Sequence, residues 1–72
     1  MNYIVIEIQK SNSVATLVDS YDNRNDAYSK YYSVLSYAAK SQLPLHSAAI
    51  LTEEGQVIEH KFFAHSQEDS DS

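Results

Sequence analysis

The chain of 72 residues has no cysteine and no tryptophan, one glycine, one proline, and one arginine among only five cations. Each shortage removes a class of explanation. Without cysteine no disulfide can staple a small fold, and three histidines without cysteine partners do not suggest a structural zinc. One glycine rules out a glycine-rich phosphate loop, and no nucleophile elbow is present, so the serines, histidines and aspartates are composition rather than a catalytic triad. No enzyme and no cofactor are expected. Five scattered cations do not form the basic stripe that binding to nucleic acid rewards through counterion release, so direct contact with DNA or RNA is not expected either. No basic region leads into a long apolar run, which argues against a signal peptide or a membrane span and for a cytoplasmic chain.

The formal charge of −5 comes from ten acids, three of which are Glu68, Asp69 and Asp71. Without that acidic tail the body carries about −2, much less than a charge mimic of nucleic acid would need. Residues 66–72 contain no apolar side chain and read as a disordered tail behind one domain at 1–65. A domain this short buries only about 60% of its unfolded surface. With disulfides and zinc excluded, oligomerisation is the remaining common source of stability.

What is present is periodic. In residues 26–41 Ala27, Tyr31, Val34, Leu35 and Ala38 recur at spacings of three and four, with Tyr28, Ala39 and Gln42 beside them, while Ser29, Lys30, Ser33, Ser36 and Lys40 fall on the other side. That is a helix lying on something apolar. Asp22, Asn23, Asn25 and Asp26 can all accept from free first-turn amides, and Pro44 stops the helix near residue 41 or 42.

Residues 3–9 alternate as a strand, with Ile4, Ile6 and Ile8 on one face and Tyr3, Val5, Glu7 and Gln9 on the other. A polar turn at 10–13, with Asn12 expected in a left-handed conformation, leads into a second strand at 14–20. After the helix comes a small-residue strand at 46–52, where Ala48 and Ala49 would allow a helix close approach. Glu53, Glu54 and Gly55 turn the chain, Gly55 with positive φ, into a fourth strand at 56–65. The fold class is α+β: a ββαββ unit, four strands in a mostly antiparallel sheet, in the order second, first, third, fourth, with one helix on one face.

Ile4, Ile6 and Ile8 are expected to meet the helix, leaving Tyr3, Val5 and one residue of the Phe62–Phe63 pair for the opposite side. One helix cannot cover both faces, so a homodimer or higher symmetric oligomer is expected. Tyr28 and Tyr31 read as core, whereas Tyr32 and Tyr37 lie off the central stripe and are the candidate partner-binding residues. His46 is read as capping the helix C-terminus or bonding a loop carbonyl, and His60 and His65 as facing opposite ways, so no metal site is expected. The runs at 22–26 and 53–54 lack the spacing of a calcium loop. Arg24 could hold a small anion together with Asn23, Asn25 and Lys30, or form a surface ion pair with Asp22 or Asp26.

The stretches Tyr21-Asp-Asn-Arg-Asn-Asp-Ala27, Lys30-Tyr-Tyr32, Leu43-Pro-Leu-His46 and Leu51-Thr-Glu-Glu-Gly55 give the chain a resemblance to small uncharacterised proteins of bacteriophages and prophages of gut Firmicutes, over residues 2–65. The resemblance implies no activity and no site residues. It implies a context in which small acidic proteins bind a host protein or sequester a host signal. Two readings follow: an oligomeric binding module that engages a host protein through the exposed helix face and Tyr32 or Tyr37, and a sponge in which subunits share a pocket for an anionic nucleotide-like ligand around Arg24.

Overall fold

Alternating β-branched and polar residues make the first strand, and the computed structural model, which describes residues 1–65, places it at the centre of the sheet. The acidic tail lies outside the described residues. The elements run β1 (Tyr3–Lys10), β2 (Val14–Tyr21), α1 (Arg24–Lys40), β3 (Leu45–Thr52) and β4 (Val57–Ala64). The sheet order is β2-β1-β3-β4, and every neighbouring pair is antiparallel. β2 and β3 therefore run the same way on either side of β1, and α1 is the crossover between them.

The helix starts at Arg24, two residues before the expected position, because Asn23 is the residue that caps it. Its side-chain oxygen accepts from the Asp26 backbone N–H at 2.8 Å, and its amide donates back to the Asp26 carboxylate at 2.8 Å. This reciprocal arrangement satisfies a first-turn amide and puts a negative charge at the positive end of the helix. At the other end the Ser41 N–H donates to the Ala38 carbonyl at 3.2 Å. Ala39 and Gln42, expected beside the buried stripe, are exposed.

The two turns differ in chemistry. Gly55 has φ +90°, as expected of the second hairpin, where its N–H donates to the Thr52 carbonyl at 2.9 Å. Asn12 does not take a left-handed conformation, since among the described residues positive φ occurs only at Gly55. The first hairpin closes instead with the Ser11 N–H donating to the Ser13 carbonyl at 3.2 Å.

The core lies between α1 and the two central strands and consists of Val5, Ala27, Tyr31, Val34, Ala48 and Ile50. Ala27 of the helix and Ala48 of the sheet are both buried there, and neither has a bulky side chain to hold the layers apart. The expected assignment of faces on β1 is inverted. Val5 is buried against the helix, with Tyr3 packed beside it, whereas Ile4, Ile6 and Ile8 lie on the far side and are only half-buried. Tyr31 fills the space under the helix, so the sheet opposes it with Val5, Ala48 and Ile50 rather than with a row of isoleucines. The isoleucine row is the stronger apolar signal, but it faces outward.

Candidate interaction surfaces

Tyr31 is 2% exposed, and the neighbouring rings of Tyr28 and Tyr32 surround it, with centroids 6.2 and 5.3 Å away and Tyr28 to Tyr32 at 5.9 Å. Arg24 adds a cation over the Tyr28 ring at 5.3 Å from its centroid. Arg24, Tyr28 and Tyr32 thus form one ridge at four-residue spacing along a flank of α1. Burial pushes the Tyr31 phenol above its ordinary range, and the charges of Glu59, Tyr32 and Tyr28 add to that.

The two candidate anchors are both exposed, Tyr32 at 55% and Tyr37 at 69%. They do not share a patch. Five positions along a helix turn it by about 140°, so Tyr32 sits on the Arg24–Tyr28 flank and Tyr37 on the other shoulder. The four candidate anion-binding residues are likewise dispersed. Asn23 is committed to the cap, and Lys30 reaches Asp19 of β2, with Nζ 3.7 Å from Oδ2. Lys30 also lies about 120° around the helix from Arg24. Asn25 is exposed in the first turn. Arg24 packs on Tyr28, and among the described residues it makes no ion pair with Asp22 or Asp26.

His46 does not cap the helix. It is 4% exposed on β3, and its Nε2 lies 2.6 Å from Oε2 of Glu7 on β1. A carboxylate only accepts, so Nε2 carries the proton and donates. Glu7 also accepts from Gln9 Nε2 at 2.9 Å. Burial pushes the Glu7 carboxyl up, but the hydrogen bonds from Gln9 and His46 and the electrostatic influence of His46 and Lys30 outweigh it and hold the group below its ordinary value. His46 Nδ1 is buried without a hydrogen-bond partner. The histidine that serves the helix end is His65, whose Nε2 donates to the Ala38 carbonyl at 2.9 Å while its N–H donates to the Pro44 carbonyl at 2.9 Å. The helix C-terminus thus gains a donor at its negative pole.

The other exposed apolar feature is the sheet face away from the helix. The registers put Ile4, Ile6, Ile8 and Lys10 of β1 on it, together with Val14, Thr16, Val18 and Ser20 of β2, Leu45, Ser47, Ala49 and Leu51 of β3, and Val57, His60, Phe62 and Ala64 of β4. A bulge opposite Ile50 and Leu51 keeps Val57 on this side. Val18 is 59% and Phe62 61% exposed. The sequence signals an apolar second face but assigns Tyr3 and Val5 to it, which lie on the helix side instead; Glu7, in the same row, pairs with His46 on that side.

Among the described residues no cavity opens, no three His, Asp or Glu side chains gather as a metal would require, and no helix is long and apolar enough to cross a membrane. The chain matches no family model, no curated protein and no solved structure. Its architecture is that of an open-faced α+β sandwich of two layers.

Proposed function

We propose that this chain is a non-enzymatic binding module that captures another protein through the outer side of α1, with Tyr32 and Tyr37 as its anchors. The observation that carries the reading is the exposure of these two rings, 55% and 69%, on a helix surface otherwise built largely of serine, lysine and other short or polar side chains. Tyrosine buries a large area while ordering few torsions, and truncating such anchors removes much of the binding energy of an interface. The resemblance to phage and prophage proteins supports a host protein as the partner, with this chain as an accessory factor.

The test is affinity capture with the wild-type chain, Tyr32→Ala, Tyr37→Ala and the double variant in parallel, with circular dichroism on each. The double variant should lose the captured partner with its spectrum unchanged. The single variants report which flank of the helix is engaged, because the two rings lie on separate shoulders. Capture that survives the double substitution overturns the reading.

A further inference from the structure

Among the described residues, the sheet face away from α1 carries no carboxylate. Every described acid lies elsewhere: Glu7, Asp19 and Glu59 project from the helix side of their strands, and Asp22, Asp26, Glu53 and Glu54 sit in turns or at the helix start. The titratable groups on the face are Lys10, at one end of β1, and His60. The described body carries seven acids against five cations, so contacts between two copies elsewhere on it bring carboxylates together. On this one face they do not.

The face is also large enough. Four strands spaced about 4.8 Å apart and eight residues long cover roughly 19 by 26 Å, a footprint of about 500 Å². Two such faces together reach the ~1,000 Å² that a specific protein interface should clear, before the relief of the side chains is counted. The centre is apolar, since Ile6 lies opposite Ala49 on the two middle strands, flanked by Ile4 with Leu51 and by Ile8 with Ser47. Exposed Val18 and Phe62 extend it over both outer strands.

We infer that this face is the interface of a homodimer in which two copies stack sheet on sheet, about 10 Å apart, with the two helices on the outside. The contact is isologous, the same residues contributing from each copy. The dimer stands independently of what α1 binds. Where α1 does capture a partner, a further consequence rests on that reading: the dimer carries two capture surfaces facing in opposite directions and can bridge two partner molecules.

Light scattering of the purified full chain at tens of micromolar should give twice the chain mass, with a melting temperature that rises with protein concentration. Val18→Lys with Phe62→Lys introduces cations at positions that are exposed in the single copy and buried in the dimer. It also lowers the net negative charge, so any dissociation cannot come from general repulsion. Association of this variant should weaken at least about tenfold, with circular dichroism unchanged. Leu17→Lys, on the helix side of outer strand β2, and Tyr37→Ala should leave the dimer intact. A chain that is monomeric across the concentration range overturns the inference. So does a dimer that survives the paired lysines and dissociates with Leu17→Lys, which would place the contact at the sheet edge.

Discussion

His46 and Glu7 join the two middle strands beneath the helix layer through a 2.6 Å hydrogen bond, placed diagonally in a register that sets Glu7 opposite Ala48 and Gln9 opposite His46. The pair is largely shielded from water, with side-chain exposures of 5% for the histidine and 16% for the glutamate. Breaking such a pair leaves one polar group stranded, whereas replacing both members with apolar residues removes the stranded group as well.

His46→Leu should therefore destabilise the fold by about 3 kcal/mol. The paired replacement Glu7→Leu with His46→Leu should recover most of that loss. Urea denaturation at one fixed protein concentration measures both. A double variant no more stable than the single would show that the histidine acts through its shape rather than its bond.

The same carboxylate ties stability to acid. Its value is depressed in the folded chain, so its contribution is present above the ordinary carboxylate range and is lost as pH falls through the folded value. Melting temperature should drop on acidification below about pH 4.5, and Glu7→Gln should flatten that limb of the curve.

Tyr31 produces the opposite limb. Its phenol is raised in the folded chain, so the protonated form is favoured there and stability falls as pH rises above the ordinary tyrosine value of about 10. Tyr31→Phe should shift the alkaline midpoint upward while leaving the acid limb in place.

Asn23→Ala should cost about 1 kcal/mol, because it removes the acceptor for the Asp26 N–H and the donor to the Asp26 carboxylate. Asn23→Asp keeps the acceptor but sets two carboxylates side by side, so its stability should fall between the two. Thermal melts of the three proteins decide the order.

Gly55→Ala should cost on the order of 1 kcal/mol through backbone strain alone. An added Cβ there meets nothing within 4 Å, so the penalty comes from φ +90° and not from crowding. Gly55→Asn, a residue better tolerated in that conformation, should lose less in the same denaturation assay.

The order of elements was legible because each has a strong local cause: alternation in β1, three- and four-residue spacing in α1, and a single glycine at the one turn that needs it. The strand order followed from the same reading, since a crossover normally spans the strand nearest to it, and α1 does carry the chain across β1. The faces were not legible. Ile4, Ile6 and Ile8 outweigh Tyr3, Val5, Glu7 and Gln9 in apolarity, and the polar-looking row lies inward because Val5 packs in the cluster with Tyr31 and Glu7 finds its partner in His46 there. The helix-end role expected of His46 falls to His65 for a similar reason. His46 is close in sequence to the helix end, but the chain geometry brings His65 there, and proximity along a chain does not show where a strand returns. For Tyr32 and Tyr37 the helical period established exposure, and the same period separates them.

The first and third strands meet only after the intervening hairpin and helix have been traversed: Tyr3 pairs with Thr52, and Lys10 with Leu45. Each hairpin can close locally and quickly, but neither contains a sheet with a covered face by itself. Joining them must pay the entropy of a long loop before the central ladder returns any bonds, so this step is expected to be the slow one. Until it occurs, the inner edges of both hairpins are exposed and open to pairing with another chain, which makes the time between hairpin closure and central pairing the interval in which the newly made protein is most prone to aggregate.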